Sequence, residues 1–189
     1  MTRMTLADFE RRYRLEPDPW SYETSDYERA KYACTLEACG AGPFSAAIEL
    51  GCSIGVFTSL LAPRCRRLVA IDGSATAVAS AQARLRDQTQ VEFVCGRIPD
   101  AIPGESFDLV VASEILYYLD EGELDRTLHR LERNLVRGGR LVAVHWRSPG
   151  PERPLTAAAV HERLMERPSL THLSSEPNPA YLLDVWARR

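Results

Sequence analysis

The chain has 189 residues, 45% hydrophobic and 26% charged, with 23 basic against 26 acidic side chains and a net charge of −3; this suits an ordinary globular protein with room for a full core. No basic stripe is present, so a nucleic-acid partner is not expected, and no apolar run reaches the length of a membrane span. The start, Met1 to Glu10, has no signal-peptide core, and Cys34, Cys39, Cys52, Cys65 and Cys95 form no paired spacing, so the expected setting is the cytoplasm with neither a disulfide framework nor a metal site.

In chain order, Leu6–Arg14 has helical spacing, Pro17-Asp-Pro19 breaks it, and Asp26–Cys39 reads as a second helix stopped by Gly40 and Gly42. This segment is dense in aromatics, among them Tyr13, Trp20 and Tyr27, and carries Lys31, the only lysine. It reads as an amphipathic cap, a lid over a small-molecule site, or both. From residue 46 strands and helices alternate. Strands are expected at Ala46–Leu50, Arg67–Asp72, Val91–Cys95, Phe107–Ser113 and Arg140–Trp146, with helices at Val56–Ala62, Ala75–Asp87 and Glu121–Val136. Gly138-Gly139 reads as the stop of the last of these helices. Near-continuous apolar strands separated by helices imply a parallel sheet covered on both faces. The tail differs: after a helix around Ala157–Glu166, Leu170–Ser174 and Tyr181–Trp186 follow each other across the turn Glu176–Pro179. One strand of that hairpin must run antiparallel to the rest. The expected organisation is one domain over 1–189, with a helical cap at 1–42 and an α/β core at 43–189.

Open α/β sheets bind ligands beyond the carboxyl ends of their strands. The first strand ends in Glu49-Leu-Gly51-Cys52-Ser53-Ile-Gly55, where small residues let the backbone approach a ligand. The second ends in Asp72, placed to accept both hydroxyls of an adenosine ribose; an N-cap for the next helix is the plainer alternative. A dinucleotide fingerprint would need glycines where Ser53 and Val56 stand. Gly51-Cys-Ser53-Ile-Gly55 also fits the G-x-S-x-G elbow of serine hydrolases, with His145, His161 and His172 as candidate bases, but it follows the first strand and no oxyanion loop precedes it.

The same loop resembles motif I of class I S-adenosylmethionine (SAM)-dependent methyltransferases. Asp72 matches their ribose acid, Phe107–Glu114 their motif IV, and Leu135–Leu141 their turn into strand five. A narrower resemblance, carried by Asp18-Pro-Trp-Ser-Tyr22, Tyr27–Tyr32 and Ser113–Leu119, is to the nodulation N-methyltransferase NodS family, which methylates the free amine of a deacetylated chitooligosaccharide. The resemblance implies a doubly wound, Rossmann-like fold: seven strands, mostly parallel, with one antiparallel strand in the C-terminal hairpin and an N-terminal helical cap.

It also implies roles. Gly51, Cys52, Ser53 and Gly55 would line the methionine half of SAM, Asp72 would hold the ribose, and Gly73 and Ser74 would flank ribose and adenine. Arg97 and Ile98 lie where the adenine rests; many relatives have an acidic residue at or beside position 97, so backbone contacts and guanidinium stacking replace it. Ser113 would offer its carbonyl to the SAM ammonium, and Glu49 would order the loop or reach the methionine amine indirectly. Trp20, Tyr27 and Tyr118 are expected against the cofactor, with Tyr13 and Lys31 behind them; Tyr117 and Tyr118 would wall the acceptor side, core packing being the alternative. Methyl transfer to an amine needs a neutral nucleophile. Glu114 is the first candidate base and His145 the second, against structural roles for both. The implied activity is SAM-dependent methylation of a small-molecule acceptor, N-methylation of an amino sugar or other small amine, releasing S-adenosylhomocysteine (SAH). O-methylation of a natural product and a non-catalytic SAM-binding module remain alternatives, as does a serine hydrolase.

Overall fold

The computed structural model describes residues 3–189. Thr5 opens α1 (Leu6–Leu15) with a reciprocal cap: its side chain accepts from Asp8 N, and Asp8 accepts from the Thr5 amide at 3.0 Å. Ser25 caps α2 (Asp26–Cys39), which ends at Gly40 with φ 97°. Then come β1 (Ala47–Leu50), α3 (Val56–Leu61), β2 (Leu68–Asp72), α4 (Ala75–Arg84), β3 (Val91–Cys95) and β4 (Phe107–Ser113). The chain continues through α5 (Glu121–Asn134), β5 (Leu135–Trp146), α6 (Ala157–Met165), β6 (Leu170–Glu176) and β7 (Tyr181–Arg188).

The sheet runs β3-β2-β1-β4-β5-β7-β6. β7 pairs antiparallel with both β5 and β6, so it alone opposes the other strands, as the hairpin reading required. One boundary moved. The helix expected to reach Val136 stops at Asn134, and Gly138-Gly139 lie inside a strand. Gly138 takes φ 76°, and the pairing slips between Phe107↔Leu135 and Leu109↔Arg140. A glycine bulge thus lets pairing start earlier than the apolar run does.

Because side chains alternate across a strand, each strand feeds two cores. Ile48, Leu50, Val110, Ala112, Leu141 and Ala143 face α5 and α6, where Leu124, Leu128, Leu131, Val160 and Leu164 close the layer. Ala47, Leu109, Val111, Val142 and Val144 face the other way, under Tyr32 and Cys39 of α2 and Phe57 and Leu61 of α3. A smaller cluster of Tyr13, Ile54 and Ala77 fastens α1 to the first core loop. β1 and β4 are neighbours from which the order diverges to both edges, so the crevice of a doubly wound sheet opens above them. Among the described residues no helix is long and apolar enough to cross a membrane.

Leu131→Ala empties a fully buried position and is expected to cost about 2–5 kcal/mol, read as a lower urea midpoint at unchanged slope.

Candidate active site

The loop after β1 is tied to β2: the amides of Gly51 and Cys52 both donate to the Ile71 carbonyl, at 2.8 and 2.9 Å. Gly55 has φ 79°, and a Cβ there would lie 2.9 Å from both Ala81 Cβ and Leu85 Cδ1, so α4 packs against bare backbone. Asp72 then joins two loops. Its Oδ2 accepts from Ser53 N at 2.9 Å and its Oδ1 from Ser74 N at 2.8 Å. Burial raises its pKa, opposed by these amide bonds. Asp72 is not the cap of α4; Ser74 is, accepting from Ala77 N at 3.1 Å.

Above the strand ends lies a cavity of about 760 Å³. Gly51, Ser53, Asp72, Gly73, Arg97 and Ile98 line it from the first three strands. Ser113, Glu114 and Tyr118 line it from β4 and the turn that follows, and Trp20 and Tyr27 from the cap. Arg97 does not stand free, because its guanidinium pairs with Glu123. Five expected residues lie outside the lining: Glu49, Cys52, Gly55, Ser74 and His145.

The aromatic cap is fixed by side chains of its own. Tyr13 Oη lies 2.6 Å from Ser53 Oγ. Trp20 packs on Tyr13 at 5.4 Å and on Tyr22 at 5.8 Å, while Phe9 meets Tyr118 edge-on at 4.9 Å. Glu10 accepts from Ser74 Oγ at 2.6 Å and Thr76 Oγ1 at 2.7 Å, bonds that hold its pKa down to about 2. Met4 N donates to the Glu152 carbonyl at 3.1 Å, so the start of the described chain meets the loop after β5.

Deeper in, Lys31 is buried and bridges two carboxylates. Its Nζ donates to Glu114 Oε1 at 2.8 Å and to Glu28 Oε1 at 3.0 Å, and lies 5.3 Å from the Tyr27 ring centre. Burial works against its charge, but Glu114 and Glu28 together raise its pKa. Glu114 takes φ 54°, and its other oxygen accepts from Tyr117 Oη and, at 3.1 Å, from Trp146 N. Glu28 was not among the expected residues. Its signal lay in the spacing: an acid three residues before the only lysine of an arginine-rich chain shares one helix face with it.

His145 is corrected by its surroundings. It is fully buried and spends both ring nitrogens inside the protein. Nε2 accepts from Leu116 N at 3.2 Å; Nδ1 therefore carries the proton and donates to His161 Nε2 at 3.0 Å. His161 Nδ1 in turn donates to Asp184 Oδ2 at 2.5 Å. Burial and His161 push the His145 pKa far below its ordinary value. The residue holds the turn after Glu114 in place and does not face the cavity. Among the described residues no histidine is bonded to Ser53, whose hydroxyl pairs with Tyr13, so the hydrolase elbow lacks its base.

The family described as Nodulation protein S (NodS) matches residues 6–143. The chain belongs to the NodS family. It is 36% identical over 127 residues to Nodulation protein S of Rhizobium tropici, covering 66% of this chain and 53% of that one. The corresponding protein of Sinorhizobium fredii is 32% identical over 127 residues, covering 66% and 59%. The chain thus spans just over half the length of these curated relatives. Among solved structures, N-methyltransferase NodS from Bradyrhizobium japonicum WM9 in complex with SAH superposes with TM-score 0.87 at 26% identity, covering 98% of this chain and 99% of that one. The cap helices therefore belong to the shared NodS architecture.

Glu49 lies buried at the end of β1, where desolvation raises its pKa to about 7. The folded protein holds this proton longer than the unfolded chain does, so stability is full at low pH and falls as pH rises from the ordinary glutamate range to about 7. Glu49→Gln removes that slope. Its urea midpoint relative to the native protein is expected to improve between about pH 4.5 and 8, by on the order of 3 kcal/mol in unfolding free energy.

Proposed function

We propose that this protein is a SAM-dependent N-methyltransferase of a small amine, best read as an amino sugar. The observation that carries the reading is Asp72, half-buried at the crevice with one amide on each carboxylate oxygen and facing a cavity bordered by Gly51 and Gly73. Each oxygen keeps a lone pair for a ribose hydroxyl. A cavity of about 760 Å³ falls within the range of cofactor pockets, and its aromatic walls suit a nucleoside. The residues present therefore fit SAM. Gly51 and Ser53 would border its amino-acid half, Asp72 its ribose, and Arg97 and Ile98 its adenine, with Ser113 near the ammonium.

When bound, SAM supplies a methyl group on a sulfonium, whose C–S bond breaks with its electrons passing to sulfur as the acceptor lone pair forms the N–C bond. The protein's part is positioning and proton management. Tyr118, Trp20 and Tyr27 wall the acceptor's approach, and Glu114, anchored by Lys31 and Tyr117, marks its end. Two carboxylates around one lysine leave the cluster short of a cation, which favours a charged amine over a neutral hydroxyl as acceptor. Amide bonds that hold Glu114 and a 41%-exposed Tyr27 at the rim suit a sugar-sized molecule reaching in from solvent. The free thiols of all five cysteines accord with work in the cytoplasm, in a single catalytic domain.

Calorimetric titration is expected to give micromolar binding of SAH and none of NAD. Asp72→Ala should weaken SAH by roughly 100-fold or more, since two charged hydrogen bonds of about 1.5 kcal/mol each are lost. Radiolabelled methyl should pass from SAM to deacetylated chitooligosaccharides. A native protein that binds neither SAH nor SAM would defeat the proposal.

A further inference from the structure

Among the described residues that line the cavity, one arginine has no acid partner. Arg3 and Arg97 both pair with Glu123. Arg153, on the loop between β5 and α6, forms no ion pair, and its side chain donates no hydrogen bond to any described residue. Its chain neighbour Glu152 also lines the cavity and makes no bridge to it.

The guanidinium is nevertheless held in place. Its Cζ lies 4.6 Å from the Tyr117 ring centre and 5.1 Å from that of Trp146. Gly150 packs against it: a Cβ there would fall 2.5 Å from both Nε and one terminal nitrogen. The Arg153 amide donates to the Gly150 carbonyl at 3.1 Å, so the same turn positions the side chain and the bare backbone beside it. Nε is enclosed by this packing. The two terminal nitrogens are not: neither has a protein acceptor, and neither is sealed off in this half-buried residue. Their N–H groups remain for a ligand in the cavity.

We infer that Arg153 binds an anionic group, a phosphate or carboxylate, on the same acceptor whose amine receives the methyl group. This rests on the methyltransferase reading above and narrows its substrate class to an amino sugar that carries an acid. Two residues set the spacing. Tyr117 donates its Oη to Glu114 and presents its ring to Arg153; Trp146 donates its backbone amide to Glu114 and presents its ring to Arg153. One end of the cavity thus holds Lys31 with two carboxylates, and Arg153 stands one tyrosine away. An acceptor with an ammonium at the first and an oxyanion at the second answers both charges. A guanidinium can meet two oxygens of a phosphate or carboxylate at once, whereas a neutral sugar leaves its charge uncompensated.

The test is calorimetric titration of the SAH complex with three sugars that share a free amine: glucosamine, glucosamine 6-phosphate, and muramic acid, which carries a carboxylate on O3. The native protein should bind at least one of the two acids about 10- to 100-fold more tightly than glucosamine, the gain expected of charge-assisted hydrogen bonds. In Arg153→Gln that ratio should collapse to about one, and Arg153→Lys should keep part of it. Gly150→Ala retains the charge but displaces the guanidinium, so it should lower the ratio as well, which a charge acting only from a distance would not show. SAH binding, at the Asp72 end, reports whether each variant is folded; should Arg153→Gln fail there, Gly150→Ala carries the test. Equal affinity of the native protein for all three sugars, or a preference that survives in Arg153→Gln, would overturn the assignment and leave the methyltransferase reading intact. Binding of SAH but of none of the sugars would remove the assignment together with the amino-sugar acceptor. Failure of the native protein to bind SAH would bring down the methyltransferase reading itself.

Discussion

A buried ammonium must be paired, and Lys31 is paired with carboxylates from two different parts of the chain. Glu28 lies one helical turn away on α2, whereas Glu114 stands at the end of β4, so α2 cannot leave the sheet without stranding a charge. That constraint fixes where the cap sits. It also explains the backbone of Glu114, which holds a left-handed φ that a non-glycine residue adopts only when its neighbours enforce it. Lys31, Tyr117 and Trp146 N supply that enforcement from three directions. The Glu114 end of the cavity is therefore formed where cap and core meet, and neither part holds it alone.

The Asp72 end of the cavity follows the same logic with neutral partners on one side of each bond. Glu10 on α1 reaches the start of α4 through Ser74 and Thr76, and Tyr13 reaches the loop after β1 through Ser53. Asp72 then ties that loop to the start of α4. Three elements distant in sequence are thus joined above the crevice by side chains that bond to hydroxyls and loop amides beyond the strand ends. The apolar layers below supply the stability; the polar ties above supply the alignment.

Much of this was legible in the chain. Strand positions followed from apolar runs, and the reversed last strand from two strands with a short turn between them. Asp72 and Gly51 were legible because the sheet fixes where strand ends must lie. Legibility failed where a residue's role depends on what stands opposite it. His145 ends a strand as a base might, yet only the packing of α6 and β7 shows its ring nitrogens to be engaged. Gly138-Gly139 look the same as a helix stop and as a strand bulge until Phe107 is seen across from Leu135. The pairing of Lys31 with Glu114 was not legible, because nothing in the local sequence reports the approach of a residue 83 positions away.

The chain of bonds from Leu116 N through His145 and His161 to Asp184 has a direction: each ring takes a proton's bond on one side and gives one on the other. Replacing any single member strands the groups on either side of it within a dry layer. Drift by single steps is therefore costly at positions 145, 161 and 184, although these residues come from a helix and two strands. Divergence here has to proceed in sets, with His145, His161 and Asp184 lost or kept together. Such a linkage would leave an inherited signature in lineages that still fold this way, independent of what the cavity binds.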